Sequence, residues 1–422
     1  MNSSHDQAAV RSAGVILAAP SARRPLAAHT VLAMLQRLRR GRLELHLPDG
    51  QVLPCPSHAT AAPSVVVRVH DWKVFSLALR RGDIGFAQAY CDGRWTTPDL
   101  PALLKLLLAN RQAVEGALHG SFLGTMLDRL RHLLLRRNTR AGSRDNIHAH
   151  YDLGNAFYSL WLDRGMTYSS ALFTRSDMSL EQAQQAKLQR VLDALRVQAG
   201  QRVLEIGCGW GSFAELAATR GVQVDGVTLS RQQHAFATQR LQQAGLAERA
   251  RTHLLDYRDA ASIAPQAGFD AVASIEMFEA VGEAYWARYF HSVASLLKPG
   301  GRACIQTITI DEALFERYRR GTDFIQRYIF PGGMLPSPSR FVEGARAAGL
   351  QVLDTHRFGA DYARTLALWR QRFLDSRAML PGLGFDRRFE RLWEFYLAYC
   401  EAGFTEGTID VVQYTLVKTQ QP

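Results

Sequence analysis

The stretch Val203-Leu204-Glu205-Ile206-Gly207-Cys208-Gly209-Trp210-Gly211 constrains the fold of this chain more than any other. A short apolar run ends on a carboxylate, three glycines alternate, and the helical pattern Ser212-Phe213-Ala214-Glu215-Leu216-Ala217 follows. A strand, a tight turn and a helix in that order open a nucleotide-binding α/β domain, because glycine lets the backbone bend and approach a ligand where a Cβ would clash. The spacing is G-x-G-x-G rather than the dinucleotide G-x-G-x-x-G, which moves the expected ligand from a nicotinamide dinucleotide to S-adenosylmethionine.

From His150 to the end the chain alternates strand and helix patterns, the signature of a doubly wound, Rossmann-like sheet. Strands are expected at 202–206, 222–228, 251–255, 269–275 and 302–309. An acidic residue usually closes the second strand of such a fold and accepts from the ribose hydroxyls. Here that position falls on Thr228, followed by Leu229 and, four residues on, Gln233, while Asp225 comes three residues too early. A hydroxyl and an amide suffice to hold a ribose. The third strand ends in Asp256-Tyr257-Arg258-Asp259, where Tyr257 and Arg258 would meet an adenine; a charged loop closing a strand is the alternative reading.

Ahead of this core lies a smaller α+β region. Arg42–Leu47, the turn Pro48-Asp49-Gly50 and a return strand read as a hairpin, and Ser64–Val69 as a further strand. Short helices are expected around 75–80 and 100–109. Between 122 and 140 apolar residues recur on one helical face, with Arg129, Arg131, Arg136, Arg137 and Arg140 beside them. Such a helix either lies on an anionic lipid surface or packs on its own domain. The resulting division is a disordered tail at 1–28, an N-terminal domain at 29–120, a basic helix and linker at 121–145, and a catalytic domain at 146–422.

Fifty basic against 39 acidic residues give a formal charge of +11, which suits a nucleic acid or an anionic membrane and does not choose between them. No apolar run approaches the roughly 20 residues of a spanning helix. Five scattered cysteines form neither a CxxC pair nor a disulfide framework, which fits a reducing cytoplasm; no metal site is expected.

The choice of partner comes from motifs outside the glycine turn. These are His150–Tyr158, Met166-Thr167-Tyr168-Ser169-Ser170-Ala171, Phe278-Glu279-Ala280-Val281-Gly282, Gln306-Thr307-Ile308, Tyr328–Gly333 and Tyr362–Leu366, with Gly93-Arg94-Trp95 and Asp99-Leu100 upstream. In that order they resemble the cyclopropane-fatty-acyl-phospholipid synthase family, including its mycolic-acid relatives, from about residue 40 to residue 418.

The resemblance implies a class I methyltransferase that moves a methyl from S-adenosylmethionine to a cis double bond of an unsaturated phospholipid acyl chain. It further implies work at the inner membrane face, peripherally, without nucleic acid, and as a homodimer. It assigns cofactor contacts to Tyr168, Ser169, Glu205, Gly207, Gly209, Gly211, Thr228, Leu229 and Gln233. It also places Glu279, Tyr362 and the backbone at Ile308 around a bound bicarbonate that acts as base. Three departures stand out: Ser170, Ala280 and Gln306 occupy positions where the family usually has Cys, His and His. Losing two imidazoles alters the proton inventory of the pocket. The expected product is a cyclopropane chain. The alternative is a methylene- or methyl-branched chain, since the altered trio resembles a branch of the family with that outcome. A soluble-acceptor or RNA methyltransferase and a non-catalytic lipid binder are the rival readings. Considered alone, Glu279 caps a helix, Tyr362 is a core aromatic and Gln306 ties down backbone.

Overall fold

A computed structural model describes residues 24–55, 64–111 and 153–419. The basic helix expected over 122–140 and the motif residues His150, Tyr151 and Asp152 lie outside the described residues, as does the expected tail up to residue 23.

The larger sheet has seven strands: β5 (Arg202–Ile206), β6 (Gln223–Thr228), β7 (Ala250–Leu254), β8 (Phe269–Ile275), β9 (Leu297–Ile310), β10 (Leu350–Arg357) and β11 (Ile409–Lys418). Their order is β10-β11-β9-β8-β5-β6-β7. β5 to β9 pair in parallel, and β11 runs antiparallel between β9 and β10. Parallel strands need cover on both faces, and Val203, Leu204, Ala271, Val272 and Ala273 are all fully buried. The helices flanking this sheet include α4 (Leu180–Leu195), α5 (Ser212–Thr219), α6 (Arg231–Gln243), α7 (Trp286–Leu296), α8 (Glu312–Arg320), α9 (Phe324–Tyr328), α10 (Pro338–Ala347), α11 (Gly359–Asp375) and α12 (Arg387–Thr405). From β5 the chain moves outward to β6 and β7, then returns to β8 on the other side of β5. The crevice at the carboxyl ends of β5 and β8 is therefore the topological switch point, where open α/β sheets bind ligands.

All five strands expected in this region are present. β9 starts earlier than expected, at Leu297, and β10 and β11 carried no readable signal. In β11 the buried run Val412–Leu416 contains Gln413, Tyr414 and Thr415, which breaks the apolar pattern of a central strand. β10 is an edge strand exposed along most of its length.

The N-terminal part forms a second sheet from β1 (Arg42–His46), β2 (Val52–Cys55), β3 (Ser64–Val69) and β4 (Trp95–Thr96), in the order β2-β1-β3-β4. β1 and β2 make the expected antiparallel hairpin, and β3 lies parallel to β1. α1 (Leu26–Leu35), α2 (Lys73–Cys91) and α3 (Leu100–Ala109) accompany them. The helix expected at 75–80 thus continues to Cys91, interrupted at Gly82, whose φ of 55° and ψ of −132° break the helical course. Polar bonds fasten this part to α12. The Tyr90 hydroxyl donates to Glu394 Oε2 at 2.8 Å, Lys105 Nζ to Glu401 Oε1 at 2.8 Å, and the Tyr399 hydroxyl to Asp83 Oδ2 at 3.1 Å. One contiguous apolar core runs from Leu43, Leu45 and Val67 to Trp369 and Trp393. Among the described residues no helix is long and apolar enough to cross a membrane.

Candidate active site

Two cavities meet at the switch point. The smaller is lined by Tyr168, Ser169, Lys187, Glu205, Gly207, Gly209, Thr228, Leu229, Gln233 and Tyr257, which include most of the residues expected to hold the cofactor. Gly207 (φ 82°) and Gly209 (φ 51°) adopt left-handed backbone that favours glycine, so the turn after β5 leaves its backbone bare toward the cavity. Thr228 Oγ1 bonds Gln233 Oε1 at 2.9 Å, joining the end of β6 to the start of α6. Burial pushes the Glu205 carboxyl well above the usual range, and its Oε2 is buried without a hydrogen-bond partner. An unsatisfied buried acceptor of this kind fits a ligand that brings its own N–H or O–H donors. The amino group and ribose hydroxyls of S-adenosylmethionine are such donors, so the lining fits the group.

Two expected contacts are placed elsewhere. Arg258 folds back on Asp256, with Nε 2.8 Å from Oδ1, and the pair is nearly inaccessible; its guanidinium closes the loop and does not line the cavity. Gly211 sits behind the turn as the residue preceding α5, where an added Cβ would come within 3.1 Å of Ala237. Its part is close packing of turn against helix.

The second cavity has a volume of about 1200 Å³. Tyr168, Glu276 and Ala280 line both cavities and so form the partition between them. Glu276 is the residue the sequence analysis missed. It directly follows β8, with a φ of 49° that non-glycine residues rarely adopt. Its Oε1 accepts from the Ser170 backbone N–H at 2.9 Å and from Gln306 Nε2 at 2.6 Å, and its Oε2 from the Tyr362 hydroxyl at 2.6 Å. Tyr362, expected beside a bound anion, thus converges with Gln306 and the Ser170 backbone on a carboxylate that belongs to the chain, while the other two groups expected there, Glu279 and the Ile308 backbone, pair with each other. Ser170 contributes its backbone, not its side chain, whose hydroxyl donates to Ala171 O at 3.0 Å. Gln306 is completely buried on β9 and lines neither cavity; Gln413 of β11 donates to its Oε1 at 2.9 Å and fixes which end of the amide faces Glu276.

Glu279 and Ile308 line the large cavity as a pair, the Ile308 N–H donating to Glu279 Oε1 at 2.5 Å. The Thr307 hydroxyl also donates to that oxygen, at 3.0 Å, while Glu279 Oε2 is buried without a partner. Burial, reinforced by the negative charge of Glu276, pushes the Glu279 carboxyl up to about 8. Burial raises Glu276 as well, but its three donors and the charge of Lys187 oppose that rise. Of these two adjacent carboxyls in unlike settings, Glu276 with its three donors is the better holder of the charge and Glu279 with its unpartnered Oε2 the better holder of the proton. Lys187, also unforeseen, lies fully buried on α4 with Nζ 2.5 Å from Ser169 Oγ, and burial lowers it to about 8 against the pull of Glu276, Asp163 and Glu205. A lysine within the apolar face Leu180-Ala183-Leu188-Val191 was the signal available for it.

Aromatic faces surround the partition. The Tyr168 and Tyr396 hydroxyls are 2.8 Å apart, Tyr168 lies within 5.6 Å of the Trp161 and Trp369 rings, and Tyr362 packs on Phe404 at 4.4 Å. A turn-bound nucleoside pocket, opening through an anionic partition onto an apolar, aromatic-walled cavity, defines an S-adenosylmethionine-dependent methyltransferase for an apolar acceptor.

Comparison with known proteins places it more closely. Residues 138–414 match the family described as mycolic acid cyclopropane synthetase, and the chain belongs to that family, whose members act on lipids. It is 38% identical to the tuberculostearic acid methyltransferase UfaA1 of Mycobacterium tuberculosis over 95% of this chain and 94% of that protein. It is 34% identical to the cyclopropane-fatty-acyl-phospholipid synthase of Escherichia coli, over 82% and 86%. The crystal structure of the mycolic acid cyclopropane synthase CmaA1 in complex with SAH and CTAB superposes with a TM-score of 0.60 at 32% identity. It covers 65% of this chain and 98% of that one.

Proposed function

We propose that this protein methylates a cis double bond within an acyl chain of a phospholipid, with Glu276 as the base, and that the product is a methylene-branched chain. The carrying observation is the Glu276 carboxylate at the partition of the two cavities, held by Ser170, Gln306 and Tyr362. In this reading the carboxylate takes the part expected of bicarbonate. The 38% identity over nearly the full length to a tuberculostearic acid methyltransferase supports branching over ring closure.

When bound, S-adenosylmethionine supplies an electrophilic methyl. Glu205, the backbone at Gly207 and Gly209, and Thr228, Gln233 and Tyr257 would hold it. The chain's own residues then do three things. The apolar walls at Ile308, Leu366 and Phe330 keep the alkene dry and aligned, since a weak nucleophile needs a near-attack pose. The alkene's π electrons would form the new carbon–carbon bond as the methyl–sulfur bond breaks and leaves its electron pair on the sulfur, and a cation is left on the neighbouring chain carbon. Tyr168, Tyr362 and Tyr396 offer it ring faces, and the dry cavity withholds water. A hydride moves from the methylated carbon to that neighbour. Glu276 then takes a proton from the new methyl, and the C–H electrons become the C=CH2 double bond of the branch. Deprotonation before the hydride shift would close a cyclopropane, the second outcome of the same first step. Saturating the branch takes a further hydride and proton from a separate reductant.

Proton NMR of dioleoyl phosphatidylglycerol after incubation with enzyme and S-adenosylmethionine tests the reading. Olefinic =CH2 signals are expected. An upfield ring-methylene signal would assign ring closure, and no mass gain in any lipid would reject acyl methylation.

A further inference from the structure

The methylation steps leave one buried charge unused. Among the described residues that line the cofactor cavity, Lys187 of α4 is the basic side chain, and Glu205 and Glu276 are the acidic ones. Lys187 is completely buried, and lysine is almost never fully buried unless paired. Its Nζ donates to a neutral group, Ser169 Oγ, at 2.5 Å. Its charge is answered through space, by Glu276 most strongly and then by Asp163 and Glu205.

Two of these carboxyls have other company. Asp163 accepts from the Gly165 N–H at 2.7 Å and the Thr167 N–H at 2.8 Å, and the charge of Glu181 acts against it. Glu205 feels Arg240 of α6 as well as Lys187. Glu276 is placed differently. Ser170, Gln306 and Tyr362 give it neutral donors, Glu279 adds a like charge beside it, and Lys187 is the cation that opposes its burial.

The same helix sets where one of those donors stands. Gln184, one turn before Lys187, donates from Nε2 to Ser169 O at 2.8 Å, so α4 holds Ser169 by its carbonyl and by its hydroxyl. The next N–H along the chain, that of Ser170, reaches Glu276 Oε1. A buried carboxylate stays ionised only with countercharge and aligned donors. Glu276 borders the cofactor cavity on one side and, on the other, the large cavity that runs on to Leu45 and Val67 of the N-terminal sheet. The cofactor's sulfonium is positive on arrival and neutral once the methyl has left, whereas Lys187 is present in every state of the cycle.

We infer that Lys187 is a positioning residue for the base: it keeps Glu276 ionised when no sulfonium faces it, and with Gln184 it holds the Ser169–Ser170 segment whose N–H aligns the carboxylate. This rests on the reading of Glu276 as base and adds to it what keeps that base charged. Removing the ammonium raises Glu276, so the acid limb of the rate moves to higher pH. Burial brings Lys187 itself down to about 8, so its support is present at neutral pH and fades above that value.

The test compares the full-length wild type with Lys187→Gln, which keeps a donor for Ser169, Lys187→Met, which keeps neither donor nor charge, and Glu276→Gln. Methyl transfer to dioleoyl phosphatidylglycerol gives kcat/KM for S-adenosylmethionine against pH, which reports the enzyme before the cofactor binds. Infrared difference spectroscopy titrates the carbonyl band of protonated carboxyls in the cofactor-free proteins. In Lys187→Gln the acid limb should move up by about 1–3 pH units, the reach of one nearby opposite charge, which slows it about tenfold or more below the limb. The two rates should converge above about 8, where the wild type loses the same charge. Lys187→Met should show the same shift with a lower plateau, and thermal melting checks that each variant folds. An acid limb that stays in place would overturn the inference, and a KM for S-adenosylmethionine raised equally at every pH would make Lys187 a cofactor contact instead. A cofactor-free wild type that already shows, at neutral pH, a protonated-carboxyl band missing from Glu276→Gln would overturn it too, without any Lys187 variant. Glu276→Gln working at the wild-type rate would reject the base reading itself, whatever the infrared titration shows.

Discussion

Glu276 carries a backbone cost along with its chemistry. A non-glycine residue at φ 49° gives up about 1–2 kcal/mol, and such strain is retained where the site needs the side chain. Glu276→Gly relieves that strain and empties the position between Tyr362, Gln306 and Ser170, leaving three donors around a vacated anion site. Methylation by the variant should fall roughly 10²–10⁴-fold, the usual worth of a positioned base. Added bicarbonate or formate should restore part of the rate in a saturable way while leaving the wild type unchanged. A variant that keeps the wild-type rate, or a wild type accelerated by bicarbonate, would take Glu276 out of this role. Sequence reasoning found Glu279, Tyr362, Gln306 and Ile308 because they sit in recognisable motifs. Glu276 sits three residues before Glu279 and was passed over, although a carboxylate at the carboxyl end of a strand flanking the switch point is where a ligand group belongs. Arg258 erred in the other direction: Asp256, two residues away, offered it a closer partner than any ligand.

At the scale of elements, α2 and α9 meet through two carboxylates. Asp323 caps α9 by accepting from the Gln326 N–H at 2.8 Å, and Asp83 faces it from α2. Burial and then the charge of Asp83 push Asp323 up to about 7 from the usual 3.8. A carboxyl raised in the folded state gives stability that is complete below its unfolded value and is lost as pH rises through about 7. Asp323→Asn keeps a capping oxygen and removes the repulsion. Its melting temperature should match the wild type near pH 4 and exceed it above pH 7, by the equivalent of roughly 1–3 kcal/mol. A gap that narrows as pH rises would contradict this arrangement. Nothing in the sequence showed this contact, because it joins residues 240 positions apart. What the sequence does show is local: the strand–turn–helix at 203–217 and the hairpin at β1 and β2. β10 and β11 escaped because an edge strand and a strand with a polar centre lose the alternation that marks β structure.

For the whole molecule, the question is whether the N-terminal sheet and the seven-stranded sheet unfold as one. The core of the N-terminal sheet is continuous with that of α11, α12 and Val411 of β11, the two faces of the seven-stranded sheet pack in two further clusters, and α12 packs on α2 and α3. Glu401 of α12 is buried and answers two cations, Lys105 of α3 at 2.8 Å and Arg370 of α11 at 3.2 Å. It therefore ties the N-terminal part to the helices that carry Tyr362 and Tyr396. A shared cavity makes the coupling functional: if the sheet end shifts, the walls that position the acyl chain shift with it. Calorimetry of the full chain should give a single cooperative transition. Glu401→Gln, which leaves both cations without a buried anion, should lower that transition by about 1.5–3 kcal/mol, typical of hydrogen bonds to charged groups, without dividing it. It should also depress kcat, although Glu401 lines neither cavity, because α12 holds Tyr396 against Tyr168. Two resolved transitions in the wild type, or a variant that loses stability with an unchanged kcat, would show that the N-terminal part is an appendage and that the catalytic walls stand without it.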